Sequence, residues 1–193
     1  MLSNVLATRQ EMPQAAVPRA LGFSRIGQLG FLVDDVDAVC RRRGDELGVT
    51  TWYRPRIRRT VLNAAGRTLD QRFDIAIGYA KGIQIEVWSV TGADREQLAQ
   101  GLTGREEPHH IGIFVENVDT AEARLNALGY PTLVSGSFSF AARSKTRVAY
   151  LDTRPTQGII VELIENRFRG IRFDMPERYV RFGAVAGLVS RLD

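Results

Sequence analysis

Four polar residues stand inside otherwise apolar runs of this chain, and their types and spacing define the chemistry open to it. Gln28 begins Gln28-Leu-Gly-Phe-Leu-Val33, and His110 lies 82 residues later in His110-Ile-Gly-Ile-Phe-Val115. Glu86 sits in Ile83-Gln-Ile-Glu-Val-Trp88, and Glu162 lies 76 residues later in Ile159-Ile-Val-Glu-Leu-Ile164. An unpaired amide, imidazole or carboxylate is costly to bury in such a strand. Brought together, two carboxylates, an imidazole nitrogen and an amide oxygen form a donor set for a divalent cation, with the two negative charges balancing the ion. Singly, each has a plainer reading: a strand glutamate usually faces water, and a lone histidine usually makes a local hydrogen bond. Two pairs at matching places outweigh that reading.

The elements that position these residues come from a repeat. Laid without a gap, residues 26–37 and 108–119 align Gln28 with His110, Gly30 with Gly112, Val33 with Val115, Val36 with Val118 and Asp37 with Asp119. Self-similarity at a fixed offset signals a duplicated module. In the first copy, a strand is expected over Ile26–Val33, with Gln28, Gly30 and Leu32 on one face. Asp35 then caps a helix running from Val36 through Leu47 to Gly48. Thr50–Ile57 is extended, with Pro55 suggesting an edge strand. Thr60–Asp70 is poorly patterned around a turn at Gly66. Strands at Phe73–Ala80 and Ile83–Val90 are joined tightly at Lys81-Gly82. The second copy repeats the plan: strand His109–Val115, helix Val118–Leu128, and strands Thr132–Ser137, Arg147–Asp152 and Gly158–Glu165. His109, next to His110, points to the opposite face and is expected to pack or hydrogen-bond.

Gln28 and Glu86 are 58 residues apart, His110 and Glu162 only 52, so the first module carries an insertion before its last strand. The expected organisation is an N-terminal arm (1–23), a first module (24–92), a linker helical over Ala93–Leu102 (93–107), a second module (108–166) and a tail (167–193) with a short helix over Ala184–Leu192. The fold class is α+β: two tandem βαβββ modules forming a cupped, barrel-like mixed sheet around one cavity.

Composition bounds the rest. Hydrophobic residues make up 44% and charged residues 25% of 193, which suits a globular chain and excludes a disordered one. No apolar run approaches bilayer length, and one cysteine, Cys40, excludes an internal disulfide and fits a reducing cytoplasm. The net charge of +4 is concentrated in Arg41–Arg43 and in Arg54, Arg56, Arg58 and Arg59. No nucleic-acid module accompanies it. The second patch, through Arg56 and Arg58, would suit an acidic small substrate.

The repeated βαβββ plan, the His-His-Ile-Gly-Ile-Phe-Val strand and the Val-Glu-Leu-Ile-Glu ending resemble the vicinal oxygen chelate superfamily, which includes glyoxalase I, methylmalonyl-CoA epimerase, extradiol dioxygenases and bleomycin-resistance proteins. The resemblance covers residues 24–166. It implies metal ligands at Gln28, Glu86, His110 and Glu162, an order most like glyoxalase I, around zinc, nickel, cobalt, manganese or iron. It also implies isomerase, epimerase or lyase chemistry on a small carbonyl compound through a metal-stabilised enediolate, with Glu162 as the first candidate base and Glu86 serving the opposite face. Trp88 and Phe114 are candidate substrate contacts, and a homodimer is expected. The alternative is a metal-free binding protein of the bleomycin-resistance type. A dioxygenase fits less well, since its iron site needs two histidines and the two here are adjacent.

Overall fold

A computed structural model describes residues 26–99, 107–185 and 189–192, together with Val17 and Leu21. The remainder of the expected N-terminal arm and the far end of the linker helix lie outside the described residues. The first module comprises β1 (Gln28–Leu32), α1 (Val36–Leu47), β2 (Trp52–Pro55), β3 (Arg59–Ala64), β4 (Arg67–Thr68), β5 (Arg72–Ala80) and β6 (Ile83–Thr91). After α2 (Arg95–Ala99), the second comprises β7 (Pro108–Phe114), α3 (Val118–Ala127), β8 (Thr132–Ser139), β9 (Ser144–Leu151), α4 (Arg154–Gln157) and β10 (Ile160–Phe168). The tail contributes β11 (Ile171–Arg172), α5 (Glu177–Val185) and β12 (Val189–Leu192).

Local chemistry sets the boundaries. Extended Asp35 accepts the Ala38 N–H through Oδ1 at 2.9 Å, and Asn117 does the same for Thr120 at 2.8 Å, so both module helices begin on side-chain caps. Gly48 ends α1 in the left-handed region, φ 71°. Lys81 and Gly82 both have positive φ, 49° and 82°, the twist a two-residue hairpin needs between β5 and β6.

All the described strands form one mixed sheet, whose path runs β12-β2-β5-β6-β1-β7-β10-β9-β8-β3-β4, with β11 on the side of β10. In each module the first strand is parallel to the last, β1 to β6 and β7 to β10, and β1 meets β7 antiparallel at the centre. That pairing joins the two copies about a local two-fold. Helix α1 covers the outside of the first half through Val36, Val39 and Cys40, packed on Ala76, Ile85 and Val87. Helix α3 covers the second through Val118, Ala121 and Leu125, packed on Ile113, Val161 and Leu163. A third cluster, including Leu62, Ile75, Trp88, Phe138 and Tyr150, occupies the inside of the curl.

Three features depart from the sequence reading. The insertion is the β3–β4 hairpin around Gly66, and β3 pairs with β8, so a piece of the first module extends the sheet of the second. The crossing needs Gly136 on β8: a Cβ there would lie 2.1 Å from the Val61 carbonyl. Strand β2, expected at an edge because of Pro55, is covered by β12 in the register Val189↔Pro55 to Leu192↔Trp52. The tail therefore ends as a strand where a helix over Ala184–Leu192 was expected, and its helix lies earlier. Val189-Ser-Arg-Leu192 has no strand alternation of its own, and the β2 edge that it hydrogen-bonds is what makes it a strand.

Candidate metal centre

Sheet register explains how the four polar side chains meet. One row across the centre reads Glu86, Gly30, His110; the next, two residues along, reads Gln28, Gly112, Glu162. Neighbouring strands lie about 4.8 Å apart, so Glu86 and His110 start roughly 10 Å apart across the intervening strand. Glycine lets them lean together. A Cβ on Gly30 would meet the His110 ring at 2.1 Å, and one on Gly112 would meet Gln28 Oε1 at 2.5 Å. Each module thus provides the gap into which the other module's side chain folds.

The result is a compact cluster. His110 Nε2 lies 3.1 Å from Glu162 Oε2 and 3.5 Å from Glu86 Oε2. The ligand atoms of Glu86, His110 and Glu162 all fall within 4.8 Å of one another, close to the span of two metal–ligand bonds of about 2.1 Å each. His110 is fully buried, Glu162 and Gln28 nearly so, and the Glu86 side chain is 15% exposed. Among the described residues, Gln28 Oε1 is buried without a hydrogen-bond partner, and His110 Nε2 and Glu162 Oε2 face only each other and Glu86. A buried polar atom left unpaired this way is costly unless something binds it. That oxygen, beside two carboxylates and an imidazole, completes a donor set that fits a divalent cation.

Two hydrogen-bond relays point the imidazole and the amide inward. His109 Nε2 lies 2.9 Å from the Leu98 carbonyl, which can only accept, so that nitrogen carries hydrogen. Burial, then the neighbouring His110, holds His109 down to about 3, so it is neutral and its Nδ1 is an acceptor. The His110 Nδ1–H fills it at 3.1 Å, which leaves Nε2 to face the carboxylates. On the other side Tyr79 donates to the Met175 carbonyl at 2.9 Å, and Gln84 Nε2 donates to the Tyr79 oxygen at 2.8 Å. Gln28 Nε2 then donates to Gln84 Oε1 at 3.0 Å, leaving Gln28 Oε1 free.

Charge follows the same geometry. Burial alone would lower His110; the charge of Glu162 and its contacts with both carboxylates outweigh it and push it up to about 9. Burial raises Glu86, opposed by its contact with His110 and supported by the Glu162 charge. Tyr150, opposite Glu162 in the β9–β10 register, is held well above the usual phenol range by burial and then by the Glu162 and Glu86 charges, and stays a hydrogen donor.

A cavity of about 500 Å³ opens from this cluster, and Gln28, Glu86, Glu162, Trp88 and Phe114 line it. Trp88 has a buried indole N–H without a partner. Arg56 and Arg58 are exposed and line neither this cavity nor the larger groove beside it, so the structure does not bring the expected acidic-substrate contacts to the site. They flank Ile57, which packs on the inner cluster, and their own side chains are turned to solvent. Gly30, Gly112, Gln84, Tyr150 and the orienting role of His109 escaped the sequence reading. The glycines carried a signal, since they recur at matching repeat positions, and Gln84 shares the strand face of Glu86. Tyr150 carried none, because its place depends on the β9–β10 register.

A duplicated βαβββ sheet, with polar residues from the first and last strand of each copy converging at its centre, defines a class. Residues 27–150 match the family model described as Glyoxalase/Bleomycin resistance protein/Dioxygenase superfamily, and the chain belongs to that superfamily, also called the vicinal oxygen chelate superfamily. The matched segment holds Gln28, Glu86 and His110 and stops before Glu162. Among solved structures, the chain is similar to a hypothetical protein from Bacillus halodurans C-125, at 17% identity over 72% of this chain and 92% of that one, TM-score 0.48. It is also similar to methylmalonyl-CoA epimerase from Mycobacterium tuberculosis, at 14% identity over 72% of this chain and 85% of that one, TM-score 0.45. A Streptomyces coelicolor methylmalonyl-CoA epimerase variant, in complex with 2-nitronate-propionyl-CoA, matches at 16% identity over 78% and 99%, TM-score 0.46. No curated protein sequence matches. No helix among the described residues is long and apolar enough to cross a membrane.

Proposed function

We propose that the protein is a metal-dependent isomerase, epimerase or lyase of the glyoxalase type that moves a proton on the carbon next to a carbonyl. The observation that carries this reading is the Glu86–His110–Glu162 cluster, whose ligand atoms lie within 4.8 Å of one another at one end of the cavity. Glu86, His110 and Glu162, joined by Gln28 through its free Oε1, would hold the ion. A divalent cation there supplies Lewis-acid polarisation of the substrate carbonyl, stabilising the negative charge that proton loss leaves on its oxygen. The chain's own residues do the rest. Glu162 takes the proton from the carbon, and Glu86, on the far side of His110, returns one from the opposite face. Tyr150 stays protonated beside Glu162 and offers an O–H to a substrate oxygen.

The test is solvent proton exchange. With metal-loaded protein in deuterated water, exchange of the α-proton of a hydroxy-ketone is followed by proton NMR. Glu162→Gln is expected to slow exchange by about 10²-fold or more, the usual scale for a positioned acid or base. Full exchange in that variant removes Glu162 from the role. The metal-free binding alternative gains if no variant or ion changes exchange at all.

A further inference from the structure

The cavity is mostly apolar away from one polar end. Unsatisfied polar groups gather where Gln28, Glu86 and Glu162 converge, while the sheet walls present Phe73, Ile75, Phe138 and Val148. Ser144, Thr146 and Asn166 also line it, but Thr146 donates to Asn166 at 2.7 Å and Ser144 to the Ala141 carbonyl at 3.0 Å. Phe73 and Phe138 meet edge to face with centroids 5.3 Å apart, and Phe138 and Phe140 lie nearly parallel at 6.1 Å. The tail closes the outer side with Phe173, Met175, Val180 and Phe182. Among the described lining residues Arg167 alone is cationic, and its guanidinium is engaged by the Glu165 carboxylate and by the Gly170 carbonyl at 3.0 Å. Among the described residues, no unpaired cation lines the cavity to receive a phosphate or carboxylate.

The mouth is apolar too. Phe168, Ile171, Tyr179 and Phe182 line the cavity yet remain 46%, 73%, 50% and 71% exposed. Clustered exposure of large apolar side chains at a cavity rim is the signature of a site for an apolar partner. The groove on the other side of Gln84 and Phe114 carries Lys81, Arg124, Arg172 and Arg178 against Glu116, Asp174 and Glu177, with Arg172 paired to Asp174 at 3.1 Å, so its positive charge belongs to that separate groove and not to the cavity walls. A volume near 500 Å³ lies within the roughly 300–1,000 Å³ typical of small-molecule sites.

We infer that the site takes an uncharged ligand with an apolar, ring-sized body and two neighbouring oxygens at one end, such as an aryl or alkyl α-hydroxy ketone. An acidic or CoA-linked carbonyl compound does not match these walls. The oxygen end of this inference rests on the proposed metal chemistry, whereas the body end rests on the cavity walls alone.

The test uses full-length protein and three compounds sharing the same vicinal oxygens: 2-hydroxyacetophenone, hydroxyacetone and hydroxyacetyl-CoA. Affinities are measured by calorimetry with Mn²⁺ present and after chelation, with Mn²⁺ occupancy followed by electron paramagnetic resonance. The aryl ketone is expected to bind at least about tenfold more tightly than either comparator, a difference one buried ring readily supplies. Phe182→Ser, at an exposed position that leaves folding intact by circular dichroism, should weaken the aryl ketone about fivefold and hydroxyacetone little. Hydroxyacetyl-CoA binding as tightly as the aryl ketone, or the aryl ketone binding no better than hydroxyacetone to Mn²⁺-loaded protein, overturns the inference while leaving the metal reading intact. Persistence of the aryl preference while the Mn²⁺ spectrum stays that of the free ion supports the apolar-body part of the inference and counts against the metal reading and the oxygen end that rests on it.

Discussion

Gly30 and His110 stand opposite each other in the β1–β7 pairing, and the imidazole lies so close over the glycine that a Cβ would meet its Cε1 at 2.1 Å. Gly112 stands in the same relation to Gln28. The repeat therefore duplicates the space for a ligand as well as the ligand. Gly30→Ala is expected to destabilise the fold by about 1–3 kcal/mol, the usual cost of overpacking, and to weaken divalent-metal binding by about tenfold or more. Thermal melts and metal titration check both. An unchanged melt with unchanged metal affinity would show that the ring does not depend on the gap.

His109 orients His110 through the 3.1 Å contact between their Nδ1 atoms. Removing a partner that fixes a metal-binding imidazole typically costs about 10- to 100-fold in metal affinity. His109→Leu is expected to fall in that range, and His109→Gln, whose amide oxygen can accept the same hydrogen, to recover part of it. Equal affinities for both variants would point to packing alone.

His110 gives the metal-free protein a pH dependence of definite sign. Its folded value is raised from 6.5 to about 9 by the carboxylates facing it. The stability this protonated ring contributes is fully present below pH 6.5 and is lost as pH rises through about 9. The melting temperature of chelated protein should fall across that window, and a His110→Asn variant should fall less. A metal ion needs the Nε2 lone pair, so binding at pH 7 should release a proton, readable as a buffer dependence of the calorimetric heat. Flat stability from pH 6.5 to 9 would contradict the assigned contacts.

Cys40 lies on the packing face of α1 at 5% exposure, and burial, then nearby Asp37, pushes its thiol up to about 12. Native protein at pH 8 should resist a thiol reagent that labels it fully in denaturant. Rapid labelling of folded protein would mean that α1 opens.

Much of this was legible from the chain alone. Both helix caps, the Lys81-Gly82 turn, the strand carrying each of Gln28, Glu86, His110 and Glu162, and their convergence followed from local chemistry and the 82-residue repeat. What was not legible depends on contacts between distant strands. β3 reads as loop because its partner, β8, lies in the other module, and Val189–Leu192 reads as helix until the free β2 edge is known. Arg56 and Arg58 looked functional because charge density shows in a sequence, whereas the direction in which a connection faces does not. His109 was placed by strand alternation on the face away from His110; the rings nonetheless meet edge to face, centroids 5.4 Å apart, because both are held by the Leu98 relay.

The central claim is that Glu86, His110 and Glu162, with Gln28, bind a divalent cation. Its most direct test is metal stoichiometry by elemental analysis and titration on untagged protein purified without chelators, compared with His110→Ala and Glu162→Ala. About one ion per chain is expected in the natural sequence, with affinity reduced by about 100-fold or more in each variant, the scale of losing one ligand from a small donor set. An absence of bound ion after incubation with zinc, nickel, cobalt, manganese and iron, or binding that both variants leave unchanged, would contradict it.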